Sequence, residues 1–328
     1  MRRIRIQTVG AVTSVVALAV LVAACGEKDE QQLEETAQAA PAASAFPTAD
    51  GSLEEVLSKA QPTNDLVVAP AGSDYTEGDN RFAFAVFKVD RTQVTDADVA
   101  VYAAHGPTGK AEGPYTGRVE SLATEPAFTA QTTSSDPDAA KAVYVTDIPF
   151  DQPGEWRLVA MVKQGDTYSA VRMPSIKVRS KSADPIPEVG DQAPKIHTPT
   201  ADEVGNISDI DTRVPPDDMH DVDFADVVGQ KPVVLLFATP ALCTSRVCGP
   251  VVDVAEQVKR DRPDDAAFIH QEIYNQNDPN KGLRPQLAAY NLRTEPWLFV
   301  VNSDGTISTR IEGAFSVAEL NQALDRAQ

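Results

Sequence analysis

The fold is decided by one stretch of the chain, Val233-Val-Leu-Leu-Phe-Ala-Thr-Pro-Ala-Leu-Cys-Thr-Ser-Arg-Val-Cys-Gly-Pro250. Its first six residues are apolar and are bounded by prolines, which is typical of a strand buried on both faces of a mixed sheet. Pro250 suits the first position of a helix, and apolar residues then recur at helical spacing as far as Val258. The two cysteines, Cys243 and Cys248, are therefore predicted to lie where a strand turns into a helix.

The residues after this helix predict further elements of a mixed α/β domain. Short apolar runs at 266–269 and 298–301 are typical of buried strands, and a turn then leads into a hairpin strand at 306–312. Apolar residues on one face predict a helix between the two runs, over about 283–290. Ser316 opens a capping-box pattern, which predicts the start of a last helix. The predicted order is strand, helix, strand, helix, strand, hairpin strand, helix.

This order, the paired cysteines and the step Glu295-Pro296-Trp297 resemble a thioredoxin-like domain, and Val247-Cys248-Gly249-Pro250 is similar to the Trp-Cys-Gly-Pro of thioredoxins. The resemblance implies a thiol-disulfide oxidoreductase in which Cys248 attacks from a helix N-terminus and Cys243 resolves. It also implies that Pro296 is a cis-proline which, with Glu295, shapes the substrate groove. No cofactor is implied.

Two departures from the thioredoxin pattern bear on the chemistry. Four residues separate the cysteines, so in one regular helix they would lie about 7.5 Å apart along the axis, too far for a disulfide. Cys243 must therefore lie in non-helical chain if the bond forms. Glu295 takes a position where most such domains have Thr or Val, and a carboxylate close to a thiolate raises the thiol pKa and weakens the nucleophile.

Three alternatives to redox exchange remain open from the sequence. The domain could be a non-catalytic binding or scaffold module whose cysteines form a structural disulfide. Cys243-Thr-Ser-Arg-Val-Cys248 resembles a one-chain peroxiredoxin, although Pro296 replaces the arginine expected before the late strand. A copper chaperone would need a histidine on a late loop, whereas the last histidine, His270, falls in the second predicted strand of this domain.

The start of the chain predicts an exported lipoprotein. Residues 1–24 have a basic start and an apolar core, and Val22-Ala-Ala-Cys25 resembles a lipoprotein cleavage box, so Cys25 is the predicted lipidation site. Residues 25–64 predict a disordered tether. We therefore expect the protein to be lipid-anchored on the extracytoplasmic face of the cell membrane. Its partners would be thiols or disulfides of exported proteins, or a membrane redox protein. The net charge of −19 argues against nucleic-acid binding.

Between the tether and the last domain, the pattern changes to the period of strands. Residues 65–180 contain several short alternating runs and predict an immunoglobulin-like β-sandwich. A proline-rich linker, 181–194, joins it to the predicted thioredoxin-like domain, 195–328. The segment 206–226 is rich in aspartate without the residue order of a calcium loop, so it predicts a solvated acidic loop and no metal site.

Overall fold

The computed structural model describes residues 38–327, so Cys25 and the predicted leader lie outside the described residues. Within this range the chain forms a sheet of eleven strands and a sheet of four. The first sheet contains β1 Gln61–Pro62, β2 Leu66–Pro70, β3 Tyr75–Thr76, β4 Gly78–Lys88, β5 Gln93–Val94, β6 Asp98–His105, β7 Glu112–Ser121, β8 Ala142–Phe150, β9 Gly154–Gln164, β10 Thr167–Arg172 and β11 Ile176–Arg179. The second contains β12 Val233–Phe237, β13 Ala267–Gln271, β14 Trp297–Val301 and β15 Ile307–Glu312.

The α-helices of the described residues lie mostly in the second half of the chain. They are α1 Leu53–Ser58, α2 Gln131–Ser134, α3 Phe224–Val227, α4 Cys248–Asp261, α5 Pro285–Ala289 and α6 Val317–Arg326. Short 3₁₀ turns occur at Ala43–Ala45, Lys181–Ala183, Ile207–Asp209, Asn275–Asn277 and Pro279–Lys281. Among residues 38–327, no helix is both long and apolar enough to cross a membrane.

The eleven-stranded sheet curls because one long strand pairs with a different neighbour at each end. β7 pairs with β6 through residues 112–117 and with β8 through residues 118–121. The two halves therefore face each other across an apolar core, to which β4 and β8 contribute from one side and β6 and β9 from the other. As the alternation along β9 predicts, one face of this strand enters that core through Trp156, Leu158, Ala160 and Val162.

The other face of β9 is buried by residues that precede the sheet. Val159 and Met161 pack in a separate cluster with Phe46 and Val56, the latter in α1. Ser52 caps α1, since its side chain accepts a hydrogen bond from the backbone N–H of Glu55. Residues 43–58 were predicted to belong to a disordered tether, and in the structure they are instead ordered and packed on the sheet.

The four-stranded sheet has the order β13-β12-β14-β15. β12 runs parallel to β13 and antiparallel to β14, which in turn pairs antiparallel with β15. Every residue of β12, β13 and β14 is buried, as continuous apolar runs predict. Ser316 and Glu319 form the predicted capping box at the start of α6. The sheet is covered by α4 and α6, which pack against each other.

The two sheets pack against each other through a shared interface. Ala83, Val143 and Val145 of the first sheet lie in the same apolar cluster as α4 and α6. Arg81, on β4, forms an ion pair of 2.7 Å with the buried Glu319 of α6. The first sheet therefore forms part of the environment of the cysteine-bearing helix.

Candidate functional site

Cys243 and Cys248 form a disulfide at the carboxyl end of β12. Cys248 is the first residue of α4, and Cys243 lies in the irregular loop before it, with 5.9 Å between the two Cα atoms. The expected non-helical position of Cys243 is thus confirmed, and the two sulfurs lie at disulfide distance. The strand-to-helix turn brings the two sulfurs together despite the four residues between them.

Both cysteines are buried, but unequally. Cys248 has no exposed surface, whereas Cys243 retains 6% of its surface. The Cys243 Sγ lies 3.1 Å from the hydroxyl oxygen of Ser245, which can donate to it. Cys243 is therefore the less deeply buried of the two cysteines.

A connection between two strands of the first sheet packs against the cysteine loop and the start of α4, and the sequence alone did not predict it. We name residues 122–141, between β7 and β8, the cover segment. The backbone N–H of Ala140 donates to the carbonyl of Arg246 at 3.0 Å, and the Arg246 guanidinium pairs with Asp136 at 3.0 Å. On α2, Thr133 lies so close to Gly249 that a Cβ at this glycine would approach the Thr133 hydroxyl to 2.8 Å. The cover segment thus contacts the chain on both sides of Cys248.

A buried arginine joins the cover segment to the helix that carries Cys248. Arg213 donates to the carboxylate of Asp253 on α4 at 2.9 Å and to the carbonyl of Phe128 at 2.6 Å. Asp253 also accepts a hydrogen bond from the backbone N–H of Ala130. Burial raises the pKa of Asp253, and the attraction of Arg213 opposes that rise. This network fixes the position of the cover segment through charge as well as packing.

Pro296 lies at the same edge of the sheet as the cysteine loop. Phe237, at the end of β12, pairs with Trp297, so residues 238 and 296 are neighbours at this edge. The Glu295-Pro296 peptide bond is cis, as predicted. Burial raises the pKa of Glu295. Its effect on a cysteine thiol and its part in a substrate groove remain predictions.

The segment before β12 contributes a second cluster of polar residues, which sequence reasoning missed. Asp211, Asp217 and His220 are buried next to His270 of β13, and one ligand atom from each lies within 4.8 Å of the others. The expectation of a solvated acidic loop is therefore wrong for Asp211 and Asp217. These carboxylates have buried partners instead, since Asp211 accepts hydrogen bonds from the backbone N–H groups of Arg213 and Asp217.

The strongest contact in this cluster joins His270 to Asp217, with 2.7 Å between Nδ1 and Oδ2. Burial alone lowers the pKa of His270, but the charge and hydrogen bond of Asp217 outweigh it and raise the pKa to about 10. Burial likewise raises the pKa of Asp217, and the charge of His270 reverses the shift and lowers it. A signal for this site was present in the sequence, because a histidine inside a fully buried strand needs a polar partner.

Comparisons with known proteins do not place the chain in a family. A scan against protein-family models found no match, and neither did a search of curated proteins.

Proposed function

We propose that residues 195–328 form a thioredoxin-like domain and that residues 65–180 form an immunoglobulin-like sandwich. The first part is supported by the order β12, α4, β13, α5, β14, β15, α6 and by the sheet order β13-β12-β14-β15. Both agree with what the sequence resemblance implies. The second part is supported by the two halves of the curled sheet, which pack face to face around one core.

The function that the site supports best is thiol-disulfide exchange with exported proteins or with a membrane redox protein. The observation that carries this proposal is a disulfide at the N-terminus of a 14-residue helix, at the sheet edge that also holds a cis-proline. Unpaired N–H groups and the helix dipole at that end stabilise a thiolate leaving group, which is what exchange requires. No metal or cofactor takes part in the proposed reaction.

Burial suggests a different division of labour between the two cysteines from the one that the sequence resemblance implies. A partner's thiolate attacks the Sγ of Cys243, and the electron pair of the broken bond leaves on the Sγ of Cys248. A second thiol of the partner then displaces Cys243 from the mixed disulfide, so the partner gains a disulfide and this protein gains two thiols. The same steps run in reverse when the partner is reduced. The residues packed around Cys243, which include Leu122 and Ala140 of the cover segment, have to move for either direction, because Cys243 is only 6% exposed.

Single-cysteine variants of the full chain test this assignment. Cys248→Ser leaves only the Cys243 thiol of the pair, and Cys243→Ser leaves only the Cys248 thiol. We expect the Cys243 thiol to form a mixed disulfide with oxidised glutathione faster than the Cys248 thiol, as followed by mass spectrometry. The double variant Cys243→Ser/Cys248→Ser is the control for reaction elsewhere. A faster reaction at Cys248 would contradict this assignment and would favour the roles that the sequence resemblance implies, with Cys248 attacking and Cys243 resolving.

The proposed location is the outer face of the cell membrane, with the lipid on Cys25. This residue lies outside the described part of the chain, so the proposal rests on the cleavage-box pattern. Cys25→Ser should move the protein from the membrane fraction to the soluble extracytoplasmic fraction. Unchanged fractionation would contradict the lipid anchor.

A structural disulfide in a scaffold protein is the second candidate, and the complete burial of Cys248 favours it. In that case the bond would stabilise the loop at the start of α4. Because the disulfide closes a short loop, its contribution to the free energy of unfolding would lie near the lower end of about 2–4 kcal/mol. The double serine variant would then unfold at lower urea concentration, and both single thiols would stay unreactive in the folded protein.

A further inference from the structure

The cluster of Asp211, Asp217, His220 and His270 has the composition of a metal site and is separate from the disulfide. All four residues are buried, with His220 at 3% and His270 at 2% exposure. The His220 Nε2 lies 3.4 Å from an oxygen of Asp217 and 3.7 Å from an oxygen of Asp211. The His270 Nδ1 lies 2.7 Å from Asp217 and 4.0 Å from Asp211. Each carboxylate thus faces His220 with one oxygen and His270 with the other, between the segment 211–220 and β13.

An unpartnered nitrogen points into this cluster. The His220 Nε2 is fully buried, and none of the residues 38–327 forms a hydrogen bond with it. Buried polar atoms in proteins are nearly always paired, so such an atom calls for an explanation such as an ion. Because Nε2 faces the two carboxylates, a cation placed between them would give this nitrogen a partner. This observation is independent of the clustering of acidic residues.

The surrounding hydrogen bonds orient the four residues as metal ligands are oriented in proteins. The His270 Nε2 lies 3.1 Å from the carbonyl oxygen of Ala238, to which it can donate, and Nδ1 faces Asp217 within the cluster. Backbone N–H groups support the carboxylates, since Asp217 also accepts a hydrogen bond from Met219. Metal-binding histidines usually donate their second nitrogen to a carbonyl or carboxylate in this way, which fixes the ring.

We propose that Asp211, Asp217, His220 and His270 bind a divalent transition-metal ion, with Zn²⁺ as the best match. Two imidazoles and two carboxylates suit zinc and its neighbours, whereas Ca²⁺ and Mg²⁺ prefer sites made only of oxygen ligands. Tetrahedral zinc with bonds of about 2.0–2.2 Å separates its ligand atoms by about 3.3–3.6 Å. The two carboxylate contacts of His220 lie close to that range, and those of His270, at 2.7 and 4.0 Å, lie on either side of it.

Four protein ligands leave no open position for a substrate, so the ion would have a structural role. It would tie the segment 211–220 to β13. It would also hold the carboxyl end of β12, since Ala238 accepts the hydrogen bond of His270 and precedes the cysteine loop. The proposal does not involve either cysteine, and the failure of one proposal therefore leaves the other standing.

Zinc and cobalt titrations of the oxidised full chain test the site. The protein is first stripped with a chelator, and the intact disulfide prevents the cysteines from acting as ligands. We expect one equivalent of Zn²⁺ to bind, Co²⁺ to give the visible absorption of a four-coordinate ion, and an excess of Ca²⁺ or Mg²⁺ not to compete. Absence of stoichiometric Zn²⁺ binding, or equal competition by Ca²⁺, would overturn the proposal.

Variants then assign the ligands. His220→Gln and Asp211→Asn should each weaken Zn²⁺ binding by at least about 10-fold, because loss of a ligand costs no less than loss of a supporting group. His197→Gln is the matched control, since His197 forms a similar 2.7 Å contact with Asp223 but is exposed. It should bind Zn²⁺ as the unmodified chain does. Unchanged binding in a folded His220→Gln protein refutes the assignment, and Asp211→Asn provides the same test if His220→Gln does not fold.

Discussion

Arg213 is the residue whose removal should most weaken the contact between the cover segment and α4. Its side chain is 5% exposed and its guanidinium pairs with Asp253, which is 2% exposed. It also donates to the carbonyls of Phe128 and Pro215. Arg213→Met keeps much of the apolar volume but leaves a buried carboxylate without its counter-charge. Breaking a buried ion pair in this way costs about 3–5 kcal/mol, so we expect the free energy of unfolding to fall by about 4 kcal/mol.

Urea unfolding at several pH values measures this loss and tests its cause. Burial already raises the pKa of Asp253, and without Arg213 the pKa should rise further. A carboxyl group with a raised folded-state pKa destabilises the protein as pH rises through that value. The loss of unfolding free energy in Arg213→Met should therefore be largest at neutral pH. It should shrink on acidification, once Asp253 is protonated in the folded state.

The double variant Arg213→Met/Asp253→Leu is the matched control. It removes both charges, so it should be more stable than the sum of the two single losses predicts, by about 1–3 kcal/mol. Arg213→Met should also speed reduction of the disulfide, because the cover segment loses its anchor to α4. A loss below about 1 kcal/mol, or a deficit that does not change with pH, would refute this reasoning.

Two further predictions concern the interface between the sheets. Gly313 has a φ of +84°, and a Cβ there would lie 2.2 Å from the carbonyl oxygen of Ala71, so Gly313→Ala should lower thermal stability by about 1–3 kcal/mol. Gly205→Ala, where nothing lies within 4 Å, is the control and should change stability little. Burial raises the pKa of Glu319, but the charge of Arg81 outweighs it and lowers the pKa. The ion pair of Glu319 with Arg81 therefore stabilises the folded protein above about pH 4.3, and this stabilisation is lost as the pH falls through the lowered pKa of Glu319. Glu319→Gln should be less stable than the unmodified chain at pH 7, with the difference shrinking in acid unfolding experiments.

The sequence predicts elements well where one local pattern decides them. The buried run of β12, the helix after Pro250 and the capping box at Ser316 each depend on neighbouring residues, and each is found close to its predicted bounds. The cis bond before Pro296 was also predicted, from the resemblance. In these cases local propensity and burial favour the same structure, so no distant contact is needed to predict it.

The parts that sequence reasoning missed depend on contacts between distant segments. Asp217 is acidic and follows two prolines, which favours an exposed loop, until His270 from β13 supplies a buried partner 53 residues away. Residues 43–58 have the composition of a tether, yet the outer face of β9 offers apolar surface to Phe46 and Val56. The cover segment is set by Arg213, whose partner Asp253 lies on another element. No local sequence pattern indicates any of these contacts.

The most direct test of the proposed exchange function is the reduction potential of the Cys243–Cys248 bond in the full chain. Oxidised and reduced fractions would be measured by thiol alkylation and mass spectrometry after equilibration in glutathione buffers of known potential. We expect a value between about −270 and −120 mV, the range of proteins that exchange disulfides. A value below about −300 mV would identify a structural disulfide and contradict the exchange function.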